Sequence, residues 1–283
     1  MKIVLTGGTG YIGSVLLQQL VAAGHAVTAL VRSDEAAAKV RKAGAEAAVG
    51  DLQDTAWTAR LFAAADGVVH TAAPSDGSGE QFDRAVVAAA VEALSGTGKP
   101  YVHTSGIWVY GDNAAVTEDS PFVPPALTAW RRGVEQAVLD ADLVASIVVP
   151  GIVYGHGGGI PAGVFGAARD EQGRVRLVGD GSQHWTTIHV EDVAALYVTV
   201  VERGERLGYV IAASGVNPTV RELGEAASGG AGVAPESVEA SRERLGAAFA
   251  DALLLDQQTT AAKARSLGWT PTRPTLVEEL RAH

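Results

Sequence analysis

Eight residues near the start of the chain, Thr6-Gly7-Gly8-Thr9-Gly10-Tyr11-Ile12-Gly13, have the types and spacing to hold a pyrophosphate. Lys2-Ile3-Val4-Leu5 before them reads as a short buried strand, and Val15, Leu16 and Leu20 after them fall at helical spacing. A glycine turn between strand and helix lets the chain reverse with positive φ. It also lets backbone approach a phosphate closely and lets the helix pack tightly on the strand. The anion then rests on N–H groups that the first helical turn leaves without intrahelical partners. An ordinary tight turn uses glycines too, but the position of these at a strand-to-helix switch points to a dinucleotide. Gly7, Thr9, Gly10, Tyr11, Ile12 and Gly13 are therefore the expected cofactor contacts.

The end of the second strand, Ala26 to Val31, decides which dinucleotide. An acidic residue there would bond the ribose hydroxyls of NAD, whereas this strand ends in Arg32-Ser33, a guanidinium and a hydroxyl suited to a 2′-phosphate. NADP is expected over NAD. A second reading makes Ser33 the cap of the next helix, with Asp34 and Glu35 in its first turn and Arg32 solvated; a capped helix presents the same serine, so both readings can hold. Asp51, after the third strand, is either the partner of the adenine amino group or a turn cap.

The elements that position these residues follow from periodicity. Helices are expected at Asp34–Ala43, Asp54–Ala64, Gln81–Leu94 and Ala126–Asp140, and strands at Glu46–Val49, Gly67–His70, Tyr101–Thr104 and Leu143–Val149. Such alternation implies right-handed crossovers and a Rossmann-type, doubly wound parallel α/β sheet with helices on both faces. Past Pro150 the alternation fails. Gly155–Gly159 reads as a turn, Gly163–Glu171 as a helix, Val175–Val178 and Thr186–Val190 as strands, Glu191–Glu202 as a helix, and Gly208–Ala212 as a strand. Val220–Ser228, capped by Thr219, and Pro235–Phe249 read as helices. Residues 1–150 are thus expected to form the nucleotide-binding domain and 151–283 a smaller α/β substrate-binding part.

Composition narrows the class. A chain of 283 residues, 47% hydrophobic and 19% charged, can bury a large core, and a net charge of −10 disfavours nucleic acid and anionic membranes as partners. The absence of cysteine removes disulfides and thiolate chemistry. Neither a secretory signal nor a membrane-length apolar run is present, so a cytoplasmic protein is expected. The seven histidines are dispersed and suggest no metal site.

Taken together, these motifs resemble the extended short-chain dehydrogenase/reductase family of nucleotide-sugar epimerases, dehydratases and related reductases. The glycine motif carries the resemblance together with Gly50-Asp51-Leu52, His70-Thr-Ala-Ala-Pro74, His103-Thr-Ser-Gly106 and Val109-Tyr110-Gly111. Pro150-Gly151-Ile-Val-Tyr154-Gly155 and Trp185-Thr-Thr-Ile-His189-Val-Glu-Asp192 complete it over nearly the whole chain. The resemblance implies that Leu52, Thr71, Ala72, Ala73 and Thr104 line the cofactor. It also implies that Pro150, Gly151, Ile152 and Val153 pass beside the nicotinamide and that Ile188–Asp192 frame the substrate. The helices Gln81–Leu94 and Ala126–Asp140 form the dimer surface in many relatives, which makes a homodimer an expectation.

The chain departs from the family where protons move. Family members use a Ser or Thr with a Tyr-x-x-x-Lys pair, in which the lysine lowers the tyrosine pKa. Aligned on Glu135, the tyrosine position holds Leu127 and the lysine position Arg131, whose high pKa suits a charge but not an acid. Gly106 falls at the usual hydroxyl position, leaving Ser105 and Thr104 beside it. Tyr110 and Tyr154 follow strand ends and are either proton donors or packing residues, while His184 and His189 read as structural, His189 bonded near Asp192. Trp108, Trp130 and Trp185 wall an apolar pocket or fill core; such a pocket suits a small hydrophobic or aromatic substrate. The expected function is an NADP-dependent oxidoreductase acting on a small carbonyl, imine or activated alkene, with Ser105, Tyr110 and Arg131 at the reacting centre. The alternative is an NADP-binding regulator, or a non-redox isomerase or lyase on the same scaffold.

Overall fold

The structure, a computed structural model, describes residues 1–74, 76–166 and 169–282. In chain order, β1 (Lys2–Thr6), α1 (Tyr11–Ala22), β2 (Ala26–Val31), α2 (Asp34–Lys42), β3 (Glu46–Val49), α3 (Thr55–Ala63), β4 (Gly67–His70), α4 (Gly79–Leu94) and β5 (Pro100–Thr104) alternate strictly. A 3-10 turn (Ile107–Tyr110) precedes α5 (Arg131–Asp140) and β6 (Val144–Pro150). Then come β7 (Ile152–Gly155), α6 (Gly159–Phe165), β8 (Val175–Arg176), β9 (Thr187–His189), α7 (Val190–Arg203) and β10 (Gly208–Ala212). The chain closes with α8 (Val220–Ala227), β11 (Val233–Ala234), α9 (Val238–Leu245), α10 (Ala247–Leu253), α11 (Ala262–Ser266) and α12 (Leu276–Arg281).

Seven strands form one sheet in the order β10-β6-β5-β4-β1-β2-β3, the doubly wound α/β arrangement expected. Strand order reverses at β1, which pairs in parallel with β2 on one side and β4 on the other. The register sets Thr6 level with Leu30 and with His70, so the turn after β1 opens between two strand ends on the same edge. The strands are Val- and Ala-rich because both faces are covered, and Leu5, Leu16, Leu20, Phe62 and Val86 are fully buried. Each such Leu or Phe contributes roughly 1.5–3 kcal/mol of burial free energy.

The chain forms two compact units, each built from separated stretches. The first comprises Met1–Ser105, Trp130–Val148 and Ala194–Val210; the second comprises Gly106–Ala129, Val149–Val193 and Ile211–His283. The boundary expected at residue 150 is close to one of these crossings, and the chain makes several others. In the second unit, Tyr154, Phe165, Leu177, Trp185, Leu223, Leu253 and Leu276 pack one core. There β7 pairs with β9 and β8 with β11, both in parallel. Among the described residues, no helix is long and apolar enough to cross a membrane.

Several elements differ from expectation for local reasons. The helix expected from Ala126 begins at Arg131, because Pro124-Pro125 leads into a turn closed by the Thr128 N–H on the Pro125 carbonyl at 3.0 Å. The helix expected over Pro235–Phe249 is two helices, α9 and α10, broken at Gly246 with φ 83°. The expected helix Gly163–Glu171 is α6, displaced toward the N-terminus, and residues 167 and 168 of that expectation lie outside the described residues. The sequence gives no expectation of β7, β11, α11 or α12.

Candidate functional site

In the first unit, a cleft of about 360 Å³ sits at the carboxyl end of β1. Gly7, Thr9, Gly10, Tyr11, Ile12 and Gly13 form one wall. Thr71, Ala72, Ala73 and Pro74 after β4 form another, with Leu30, Val31, Arg32, Leu52 and Phe82 completing it. The glycines are required by contact. Gly7 has φ 77°, and a Cβ on it would lie 2.6 Å from the Ala72 nitrogen; one on Gly13 would lie 2.0 Å from the Gly7 carbonyl oxygen. The turn is closed by the Gly10 N–H on the Gly7 carbonyl at 2.8 Å. The N-cap of α1 is Gly10, which has no side chain to take up the first-turn N–H groups, and no acidic residue occupies that turn. This is a cradle for an anionic group held by backbone and helix dipole, and the residues present fit a dinucleotide pyrophosphate.

At the far end of the cleft, Arg32 is exposed and lines the opening. Ser33 is the N-cap of α2, accepting from the Ala36 N–H at 3.2 Å, so its capping role is realised. Asp51 accepts from the Gln53 N–H at 2.9 Å, the turn-capping alternative, and it is Leu52 that faces the cleft. Asp76 lies close enough to Arg32 to feel its charge. Its carboxyl is held below the ordinary value by the Ser78 hydroxyl and N–H, with Arg32 adding to the effect.

Beside the cradle, the ends of β4 and β5 carry a buried polar seam. Thr6 accepts from the Ala72 N–H at 3.3 Å and meets His70 Nδ1 at 2.6 Å; His70 Nε2 meets Asp83 Oδ1 at 3.1 Å. With the Thr6 hydroxyl donating to Nδ1, His70 is the Nε2–H tautomer and donates to Asp83. His103 Nε2 stands 3.8 Å from the other Asp83 oxygen, too far for a hydrogen bond, while its Nδ1 is 3.1 Å from the Tyr101 hydroxyl. Burial lowers the His103 pKa to about 3, so that ring is neutral. Burial also works to raise the Asp83 carboxyl, but the His70 hydrogen bond and the charges around it outweigh this and hold it below its ordinary value. The register puts Thr104 in line with Val148, and its hydroxyl donates to the His70 carbonyl at 2.6 Å. The Tyr197 hydroxyl, 2.7 Å away, is then the donor to Thr104.

Arg131, at the family's lysine position, is held by geometry. Its guanidinium stacks on Trp130 at 4.8 Å and donates to the Thr104 carbonyl at 3.0 Å. One helical turn on, Glu135 is fully buried. Burial raises its carboxyl to about 7 against the opposing pull of Ser105, Arg131 and Tyr209. Ser105 and Tyr209 face this carboxyl, yet neither the Ser105 hydroxyl oxygen nor either Glu135 oxygen closes a well-formed hydrogen bond among the described residues. The sequence singled out Glu135 only as an alignment anchor and Thr6 only as the first residue of the glycine motif; it did not single out Asp83 or Phe82. The available signal for Asp83 was an acid among Phe82, Val86, Val87 and Ala90 on the buried face of α4.

The remaining expected residues fall in the second unit. Tyr110 is buried, edge-on to Phe122 at 5.1 Å. Gly151 donates to the Ala212 carbonyl at 2.9 Å and Ile152 to the Thr186 carbonyl at 2.7 Å, which places Gly151, Ile152 and Val153 in and beside the β7–β9 pair; Pro150 ends β6. Tyr154 donates to the Pro274 carbonyl at 2.6 Å, and burial pushes its pKa up, which marks a packing residue. His189 accepts from the Glu191 N–H at 3.1 Å and turns Nε2 toward Glu279 at 3.6 Å; Asp192, its expected partner, instead binds the Thr272 and Arg273 N–H groups. Trp185 is core, its indole N–H on the Leu253 carbonyl at 2.9 Å, and Trp108 packs edge-on against Phe249. Among the described residues, no group of three or more His, Asp or Glu is placed to hold a metal ion.

The model of the NAD dependent epimerase/dehydratase family matches residues 3–212. An uncharacterized protein of Schizosaccharomyces pombe is 31% identical over 292 residues, covering 99% of this chain and 98% of its own. The 2-alkyl-3-oxoalkanoate reductase of Stenotrophomonas maltophilia is 30% identical over 222 residues, 71% of this chain and 66% of that one. The crystal structure of the human epimerase family protein SDR39U1 with NADPH shares the fold, with a TM-score of 0.74 and 23% identity over 100% of this chain and 98% of that one.

Proposed function

Because the chain belongs to the NAD dependent epimerase/dehydratase family, we propose that it is an NADP-dependent oxidoreductase that reduces a small carbonyl, imine or activated alkene. The observation that carries the reading is the cleft of the first unit, where a side-chain-free helix N-terminus and Arg32 line one opening. The cradle takes the pyrophosphate, and Arg32 with the neighbouring Ser33 hydroxyl takes the 2′-phosphate that separates NADP from NAD. When bound, the nicotinamide supplies hydride. Arg131, fixed by Trp130 and the Thr104 carbonyl, keeps a positive charge where the family has lysine, and Ser105 orients the reacting oxygen. The reductase among the relatives supports the reaction class.

A homodimer belongs to the same reading, because α4 and α5 flank an apolar groove lined by Val87, Val91, Val134 and Ala137. Sedimentation is expected to show twice the 29.0 kDa chain mass, and a monomer would remove this part.

One observation favours a non-redox NADP-binding protein. Leu127, where the family has its proton-donating tyrosine, is 39% exposed and moves no proton. Calorimetric titration with NADPH, NADP and NAD, followed by NADPH oxidation with a panel of carbonyls and imines, separates the two. The reductase reading expects tight NADPH binding, weak NAD binding and turnover of at least one panel member. Tight binding with no oxidation supports the non-redox reading.

A further inference from the structure

We propose that Asp83 is a positioning residue for the dinucleotide: acting through His70 and Thr6, it fixes the Ala72 wall of the cleft against the glycine turn. The inference deepens the reading above and rests on its dinucleotide-binding half. The register of β1 and β4 sets Thr6 level with His70, so the two side chains are neighbours on one face of the sheet, and α4 brings Asp83 onto that face.

From the acid, the bonds run in one direction to the cleft. His70 Nε2–H donates to Asp83 Oδ1 at 3.1 Å, the Thr6 hydroxyl donates to His70 Nδ1 at 2.6 Å, and the Ala72 N–H donates to the Thr6 hydroxyl oxygen at 3.3 Å. Ala72 lines the cleft, and its nitrogen lies 2.6 Å from where a Cβ on Gly7 would stand. The last bond of the series therefore sits where the two walls meet.

A hydroxyl has one proton to give, and this decides the part Asp83 plays. Thr6 is fully buried, and with its proton on His70 Nδ1 its lone pairs are left for the Ala72 N–H. That requires Nδ1 to be an acceptor, which an acceptor at Nε2 secures by keeping the ring proton on that side. Asp83 is that acceptor. Without it the ring can carry its proton on Nδ1, and the enclosed Thr6 proton then either has no acceptor or turns into the Ala72 N–H. The rest of His70 is held as well, its carbonyl accepting from the Thr104 hydroxyl at 2.6 Å.

Helix packing alone does not account for an acid at this place. Asp83 shares the buried face of α4 with Phe82, Val86, Val87 and Ala90, where an apolar side chain would pack without desolvating a charge. A fixed His70 tautomer does account for it.

The test uses the full chain. In the cofactor-free wild type, nitrogen NMR of the imidazoles is expected to show His70 as the Nε2–H tautomer. Asp83→Asn, whose amide oxygen still accepts from Nε2–H, is expected to keep that tautomer and to bind NADPH within about threefold of wild type, whereas Asp83→Ala loses the tautomer and about tenfold in NADPH affinity by calorimetry. Thr6→Val removes the hydroxyl and is expected to cost about tenfold as well, and adding Asp83→Ala to it is expected to cost nothing more. The wild-type tautomer and the Asp83→Asn result do not depend on whether Asp83→Ala folds. A wild-type ring that is Nδ1–H or doubly protonated, an Asp83→Ala variant that melts lower yet binds NADPH as the wild type does, or losses that add in the double variant overturn the proposal and leave the dinucleotide-binding reading intact. A wild-type protein that binds neither NADPH, NADP nor NAD removes that reading, and this proposal with it.

Discussion

The turn after β1 and the end of β5 lie in one parallel sheet, and they are built by opposite means. At β1 the working parts are backbone: a positive-φ glycine, a capless helix N-terminus and space that a single Cβ would fill. At β5 they are side chains, with the carboxyls of Asp83 and Glu135 enclosed beside His70, His103, Arg131 and Ser105. The first region leaves backbone N–H groups open at a helix N-terminus. The second encloses titratable side chains, and burial lowers the pKa of His103 while raising that of Glu135. A backbone site tolerates no added atom, whereas a side-chain site answers to pH, and substitutions at each should fail in those different ways.

The largest expected effect is at the cradle. Gly7→Ala adds a Cβ 2.6 Å from the Ala72 nitrogen at a φ of 77°, so left-handed strain and overpacking together should cost about 4 kcal/mol. Denaturant unfolding should show that loss, with NADPH binding abolished. A variant of wild-type stability would mean that the turn relaxes and the contact is not limiting.

Next is Glu135→Gln, read by unfolding across pH. Because the folded-state pKa is raised from 4.5 to about 7, the contribution of this group is fully present below pH 4.5 and is lost as pH rises through 7. The wild type should therefore lose up to about 3 kcal/mol relative to the variant over that window, and the variant should be the more stable protein at pH 8. Parallel stability curves for the two proteins would show that the carboxyl is not held protonated.

The nucleotide end sharpens the contrast with smaller effects. Arg32→Ala should weaken NADPH by about 30-fold, near 2 kcal/mol, and NAD hardly at all in calorimetric titration. Equal losses would sink the 2′-phosphate assignment. Ser33→Ala should cost about 1 kcal/mol of stability through its cap on α2, visible in thermal unfolding, and only a small further part of NADPH affinity.

The same contrast explains what the residues disclosed before the fold was known. The cradle was legible because its chemistry is contiguous: strand, glycines and the start of the helix fall within the first thirteen residues, and Gly7 and Gly13 each have a local steric reason. The parallel, doubly wound sheet followed from alternation, whereas the lining at Thr71–Ala73 followed from the family resemblance. The β5 seam was not legible, because Asp83 reaches His70 and Glu135 reaches Ser105 only after α4 and α5 fold onto the sheet. Nothing in the spacing of Glu135 distinguishes a buried acid from a solvated one. Other misses were local signals given too little weight. Gly246 breaks a helix that periodicity carried through, and Pro124-Pro125 delays α5 to Arg131. Thr275 and Glu278 form the same capping box as Thr219 and Glu222, yet only the latter helix was anticipated.

The most direct test of the oxidoreductase assignment is to follow the nicotinamide absorbance of NADPH mixed with the purified protein and a panel of small carbonyls, imines and activated alkenes. Loss of absorbance with at least one member, dependent on the protein and slowed by Arg131→Ala, is the expected result. NADPH that binds tightly and keeps its absorbance against the whole panel would contradict the assignment and leave a dinucleotide-binding protein without redox turnover.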